Sequence, residues 1–230
     1  NIWVNQGEVP LTYDSNGDGI VDISEILAVF PTLEDALLSP ILSDGIDNDN
    51  NTYIDDIFGY DVADLDNNPK PTIPPIGNNP ILTHGTHVAG IAGAVTDNVF
   101  GVASIGYHVN IMPVKIGIDD GTLPAAYLGV QYAIDKQAKI INMSWGGPPP
   151  SQTYQYLFDD AYTNNIICVA AAGNSTSSLP MFPASYNHVI SVGATDASDH
   201  ITYFSNFGTT IDVMAPGQDI LSTIPENQYE

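Results

Sequence analysis

Two stretches of the chain place oxygen-bearing side chains at every second position, and a third places an imidazole beside glycines. In Asp14-Ser15-Asn16-Gly17-Asp18-Gly19-Ile20-Val21-Asp22-Ile23-Ser24-Glu25, the side chains of Asp14, Asn16 and Asp18, the carbonyl of Ile20, and the carboxylates of Asp22 and Glu25 could converge on one hard divalent cation. Asp47-Asn48-Asp49-Asn50-Asn51-Thr52-Tyr53-Ile54-Asp55-Asp56 repeats the spacing with Asp47, Asp49, Asn51, the Tyr53 carbonyl and Asp55. His84, in His84-Gly85-Thr86-His87-Val88-Ala89-Gly90, stands at the mouth of a glycine-bounded helix start. There it could act as a general base toward a hydroxyl, although a histidine at a helix start also serves as a cap or a plain surface residue.

The first stretch fits a twelve-residue EF-hand calcium loop at every informative position, with Gly19 allowing the sharp turn and Glu25 closing the shell with two oxygens. The alternative is an acidic loop of Asx turns without metal. Ile23 to Phe30 can form the exiting helix, but Pro10 spoils Glu8 to Tyr13 as an entering one. A single dockerin-like loop therefore fits better than a paired regulatory EF-hand. In the second stretch Thr52 replaces the turn glycine and Phe58 stands where the closing glutamate belongs. Its shell must be completed from elsewhere, by Asp56 or by water, or else it is a plain acidic turn.

The elements that position these groups follow from periodicity. Asp14 to Asp66 holds twelve Asp and two Glu with no Lys or Arg, and Asn67 to Pro80 holds five prolines and four asparagines, which predicts an irregular connection. Beyond it, helical signals at His87 to Val95, Ala125 to Gln137 and Gln152 to Thr163 alternate with strand signals. The strand signals fall at Val109 to Ile116, Lys139 to Ser144, Ile166 to Ala172 and His188 to Gly193. Gly146, Gly147 and Pro148 mark a turn after the second of these strands. This order predicts an α/β fold, a parallel sheet with helices on both faces. In such sheets chemistry gathers at the carboxyl ends of the strands, where Ser144, Gly173 and Asn174 fall.

Composition narrows the function. The 230 residues are 43% apolar, enough for a sizeable core, and the 27 acidic side chains, 22 of them Asp, face only four lysines and no arginine, for a net charge of -23. Binding to nucleic acid or anionic lipid by counterion release is excluded as a main function. The longest apolar runs fall far short of the roughly 20 residues that span a bilayer, so no membrane span is expected. Cys168 is the only cysteine, and its apolar setting reads as a buried strand position. The chain opens on Asn1 rather than Met, which reads as a processed chain or a fragment.

Three strings, in order, resemble the subtilisin-like serine proteases, the subtilase family: His84-Gly85-Thr86-His87-Val88-Ala89-Gly90, Asn142-Met143-Ser144-Trp145-Gly146-Gly147, and Ala170-Ala171-Ala172-Gly173-Asn174. The likeness continues through Phe182-Pro183-Ala184, Val189 to Ala194, Phe204-Ser205-Asn206-Phe207-Gly208 and Asp212 to Gly217. Asn1-Ile2-Trp3-Val4-Asn5 and Tyr53 to Asp61 resemble a calcium-loop subgroup of that family. The resemblance implies a subtilisin-like fold with an acidic calcium-loop insertion near the N-terminus, residues 1–66 forming that segment and 67–230 the central part of the catalytic domain. It makes His84 the general base of a Ser-His-Asp triad and Asn174 the side-chain donor of the oxyanion hole. Ser144, Trp145 and Gly146 become a backbone strip that holds substrate as an added strand, with Ala171, Ala172 and Gly173 lining the specificity pocket. It further implies a secreted endopeptidase with structural calcium, acting on protein or peptide substrates, with a propeptide or inhibitor as a further partner.

Two parts of the family pattern do not occur in this stretch. Neither the Asp-Ser/Thr-Gly motif of the triad acid nor the Gly-Thr-Ser-Met-Ala motif of the nucleophile is present, and Asp14 and Asp44 do not fit the acid's setting. The expectation is a central window of a catalytic domain, incomplete at both ends and inactive alone. The competing reading is a non-catalytic, calcium-dependent binding module on a protease-like scaffold.

Overall fold

The computed structural model describes residues 1–71, 80–118, 120–147, 149–226 and 228–229. Residues 72–79 of the predicted irregular connection and Pro148 of the predicted turn lie outside them. Contacts divide the chain into two compact units, residues 1–129 with 222–230, and residues 130–221. Among the described residues no helix is long and apolar enough to cross a membrane.

The first unit holds two short helices, α1 (Ile23–Val29) and α2 (Leu33–Leu37), the strand β1 (Tyr60–Asp61), the longer α3 (Pro80–Gly93) and the strand β2 (Val114–Lys115). Both short helices begin with a capping box. Asp22 accepts from the Ser24 and Glu25 amides while Glu25 reaches back to the Asp22 amide, and Thr32 and Asp35 exchange the same pair of bonds. Their apolar sides close a small core of Val4, Val9, Val21, Ile26, Ala36, Leu42, Ile57 and Phe58. The amino terminus is tied in by backbone bonds from Trp3 to Ile111 and from Asn5 to Ile57, each 2.9 Å.

The strand expected over Val109 to Ile116 is mostly irregular. Only Val114–Lys115 pairs as a strand, parallel to β1, while Ile111 makes an isolated bridge to Ile2. Pro113 explains the interruption: it has no N–H to donate, and its carbonyl accepts from Tyr60 instead. Helix α3 begins at Pro80, a favoured first helical residue, so His84 lies one turn inside the helix rather than at its mouth.

Helix α4 (Ala126–Asp135) leads into the second unit, which carries β3 (Ile140–Met143), α5 (Gln152–Thr163), β4 (Ile167–Ala171), β5 (Val189–Thr195) and β6 (Val213–Pro216). The four strands form one parallel sheet in the order β3-β4-β5-β6. Burial alternates along it, with Ile141, Met143, Cys168 and Ala170 inside and Ile140 and Ile167 accessible. Helix α5 packs against β4 and buries Phe158 and Ala161, and Phe158 stacks on Tyr186 at 5.2 Å. Cys168 is buried as expected, and burial pushes its thiol up to about 11. Two short strands, β7 (Thr223–Ile224) and β8 (Gln228–Tyr229), pair antiparallel in the first unit.

Candidate functional site

In the second unit, adjacent parallel strands deliver most of the predicted substrate-binding residues to one place. Met143 at the end of β3 is in register with Ala170 of β4, so Ser144-Trp145-Gly146 leaves the sheet beside Ala171, the last residue of β4, and the Ala172-Gly173-Asn174 turn that follows it at the carboxyl end. Asn142 donates to the Ser144 hydroxyl at 3.0 Å, and Gly147 exchanges backbone bonds with Phe182, which fixes the far side of the strip. Gly146 must lack a side chain, because a Cβ there would lie 2.9 Å from the Phe182 carbonyl. Asn174 is exposed at the end of the second segment.

The turn that presents Asn174 is shaped by a residue the sequence did not single out for a role. Asn206, 2% exposed, donates to the Ala172 carbonyl at 2.8 Å and accepts from the Ser175 and Ser177 amides at 3.0 and 3.1 Å. Its own amide bonds the Gly173 carbonyl at 2.9 Å. Gly173 adopts φ +106, and a Cβ on it would lie 2.6 Å from the Asn206 amide nitrogen. In the sequence Asn206 is one residue of Phe204-Ser205-Asn206-Phe207-Gly208, and the signal that marks it is an amide side chain amid an otherwise apolar-aromatic run.

In the first unit, His84 lies on the exposed side of α3. The surrounding protein withholds water from its protonated form, and His87 adds repulsion, so its pKa falls below the ordinary 6.5. That leaves a neutral imidazole at neutral pH, the form that can accept a proton. The helix itself is held by the segment that enters β7: Ser222 donates to the His87 carbonyl at 2.7 Å and Thr223 to the Thr86 carbonyl at 3.1 Å. Gly90 makes this approach possible, since a Cβ there would overlap both hydroxyls.

The two acidic stretches, both in the first unit, are built differently. In the first, Asp14 accepts from the Gly17, Asp18 and Gly19 amides, Asn16 from Asp18, and Asp18 from Ile20. Glu25 folds back to accept from the Ser15 and Asn16 amides and the Ser15 hydroxyl, and from the Asp22 amide, bonds that hold its pKa below the ordinary value. In the second, Asp47 accepts from the Asn51 and Thr52 amides, and Asn51 from Tyr53. Asp55 turns its carboxylate to the Asp44 and Gly45 amides, and burial raises its pKa.

Among the described residues, the group of carboxylates that gathers closely enough to hold a metal is Glu8, Asp47 and Asp49, whose oxygens come within 4.8 Å of one another. The sequence spacing points to Asp47 and Asp49, whereas Glu8 falls in the segment Glu8 to Tyr13, a poor entering helix for the first loop. Asp14, Asp18, Asp22, Glu25 and Asp55 do not join that group. Nothing in the local pattern around Glu8 marks it, because its partners lie some 40 residues away.

A thermophilic serine proteinase of Bacillus sp. (strain AK1) is 43% identical over 176 residues, which is 75% of this chain and 41% of that protein. Thermitase of Thermoactinomyces vulgaris is 38% identical over 175 residues, 75% of this chain and 60% of thermitase. The chain thus spans between two-fifths and three-fifths of the length of these relatives. A solved structure of the prenylagaramide maturation protease PagA superposes with a TM-score of 0.58 at 30% identity, covering 64% of this chain and 56% of that one. The subtilase family model matches residues 40–230, a span that takes in the His84 helix, the Ser144 strip and the Asn174 turn, and the chain belongs to the subtilase family.

Proposed function

We propose that the complete protein carrying this chain is a serine endopeptidase working through an acyl-enzyme. His84 takes the proton from an attacking serine and later returns it to the leaving amine, and the Asn174 amide donates to the oxygen on which charge develops. The substrate lies along Ser144-Trp145-Gly146 as an added strand, with Ala171, Ala172 and Gly173 against the side chain that selects the bond. The observation that carries this reading is the side-by-side exit of those two segments from β3 and β4, with Asn174 exposed at the end of the second. The 230-residue stretch holds neither the acid motif nor the nucleophile motif, so on its own it is proposed to be inactive.

Secretion, structural calcium in the loops 14–25 and 47–55, and engagement by a propeptide or inhibitor belong to the same proposal. Residues 1–66 are then an insertion-bearing segment of the catalytic domain rather than a separate module. The donor chemistry fits calcium, since both loops offer hard oxygens alone. In the full-length protein, Asn174→Ala is expected to lower kcat by roughly 100- to 1000-fold with little change in KM, because the bond forms in the transition state. Full activity in that variant, measured on a peptide substrate, would overturn the assignment.

A further inference from the structure

We infer that Glu8, Asp47 and Asp49 form the carboxylate face of a calcium site, with Glu8 supplying from a distant turn the closing carboxylate that the second acidic loop lacks. This rests on the reading of residues 47–55 as a calcium loop and adds to it a ligand outside the loop. Glu8 is 2% exposed, and its two oxygens have different fates. Oε1 accepts from the Asn48 amide at 3.1 Å and the Asp49 amide at 3.4 Å, which pins the carboxylate over the loop. Oε2 is buried with no hydrogen-bond partner. A buried carboxylate oxygen without a donor is strongly disfavoured, and here it sits among two further carboxylates.

A positive charge would settle all three groups at once, and no lysine of the unit supplies it. Lys70 pairs with Glu34, and Lys115 pairs with Asp61 and Asp64. The surroundings instead hold the cluster in place. Asn5 accepts from the Gly7 amide and donates to Asp49 Oδ2 at 3.0 Å and to Asp56 at 2.6 Å. Gly7 has no room for a side chain, since a Cβ would lie 2.7 Å from Asp49 Oδ2. Carboxylate oxygens without nitrogen or sulfur suit calcium, magnesium or manganese rather than zinc or copper, and a site assembled from loop oxygens of separate segments suits calcium better than the near-ideal octahedron magnesium demands.

The competing occupant is a proton on Glu8, and Glu8→Gln imitates that neutral acid. The test titrates calcium into the chelator-stripped chain by calorimetry, comparing the unaltered chain with Glu8→Gln, Asp47→Asn and Asp18→Asn, folding being checked by circular dichroism. A distinct calcium-binding step that survives Asp18→Asn, the variant of the separate loop 14–25, but weakens about 10- to 100-fold or more in both Glu8→Gln and Asp47→Asn is the expected result. Loss in Asp47→Asn with full binding in Glu8→Gln would overturn the Glu8 assignment and leave the loop reading standing. No calcium binding, or binding that neither Asp47→Asn nor Glu8→Gln alters, would overturn the loop reading itself. Should Glu8→Gln fail to fold, Glu8→Asp keeps the charge and withdraws it by one methylene; unchanged calcium affinity in that variant would equally sink the assignment.

Discussion

The two acidic loops share a spacing of oxygens and differ in what closes them. Residues 14–25 close on themselves: Glu25, at the end of the loop, returns to the Ser15 and Asn16 amides at its beginning. Residues 47–55 close on Glu8, which reaches in from a turn near the amino terminus. A loop closed from within can form as soon as its own dozen residues are ordered. One closed from outside exists only when the tertiary fold brings the outside residue in, and its stability is therefore a report on that fold.

Closure from outside recurs in the second unit, where Asn206 clamps the turn from Ala172 to Ser177 across about thirty residues. The largest expected effect belongs here. Asn206→Ala strips a partner from the buried Ala172 carbonyl, which costs about 1 to 3 kcal/mol, and from the part-buried Ser175 and Ser177 amides, which raise that cost without strict additivity. A loss of about 3 kcal/mol or more is expected in urea unfolding. A loss under about 1 kcal/mol would mean that the turn holds itself, as the first acidic loop does.

Glycines give the same contrast with a smaller effect. Gly17 needs its freedom for a left-handed backbone, φ +77, and no atom would meet a Cβ there, whereas Gly7 is required by the close approach of Asp49. Gly7→Ala should destabilise by about 1 to 3 kcal/mol through overpacking and should also blunt stabilisation by calcium. Gly17→Ala should cost about 1 to 2 kcal/mol from backbone strain. Equal thermal shifts with calcium in both variants would erase the distinction between the loops.

What could be read from the sequence divides along the same line. The strands at Ile140–Met143, Ile167–Ala171 and Val189–Thr195, the helix Gln152–Thr163 and the capped helix beginning at Ile23 all lie where the local pattern places them. Their signals are contiguous, apolar alternation or a cap followed by an apolar spacing. The same holds for the Ser144 strip and the Asn174 turn, which are defined by runs of neighbouring residues. Glu8, Asn206, and the Ser222 and Thr223 hydroxyls that hold α3 act over tens of residues, and nothing in their own neighbourhoods announces the partner. The short helix Leu33–Leu37 leaves no mark because five residues give too little period, and the strand near Val114 is shorter than its apolar run because a run containing Pro113 cannot sustain a ladder.

The smallest expected effect tests closure from within where no metal is proposed. Asp196 accepts from the Ser198 amide at 2.8 Å and the His200 amide at 3.0 Å, so a turn of five residues is tied by its own first side chain. The His200 amide, followed by that of Ser198, holds the Asp196 pKa below its ordinary 3.8. A carboxyl lowered on folding binds fewer protons in the native than in the unfolded state, so its contribution is present above pH 3.8 and is lost as the pH falls through the native pKa. The melting temperature of the unaltered chain should accordingly exceed that of Asp196→Ala near neutral pH, and the gap should narrow only in strong acid. A gap that stays constant down to the lowest pH at which the chain remains folded would assign the effect to the turn's shape rather than to its charge. Because the turn needs no distant partner, the same variant should leave calcium titrations at the second acidic loop unchanged.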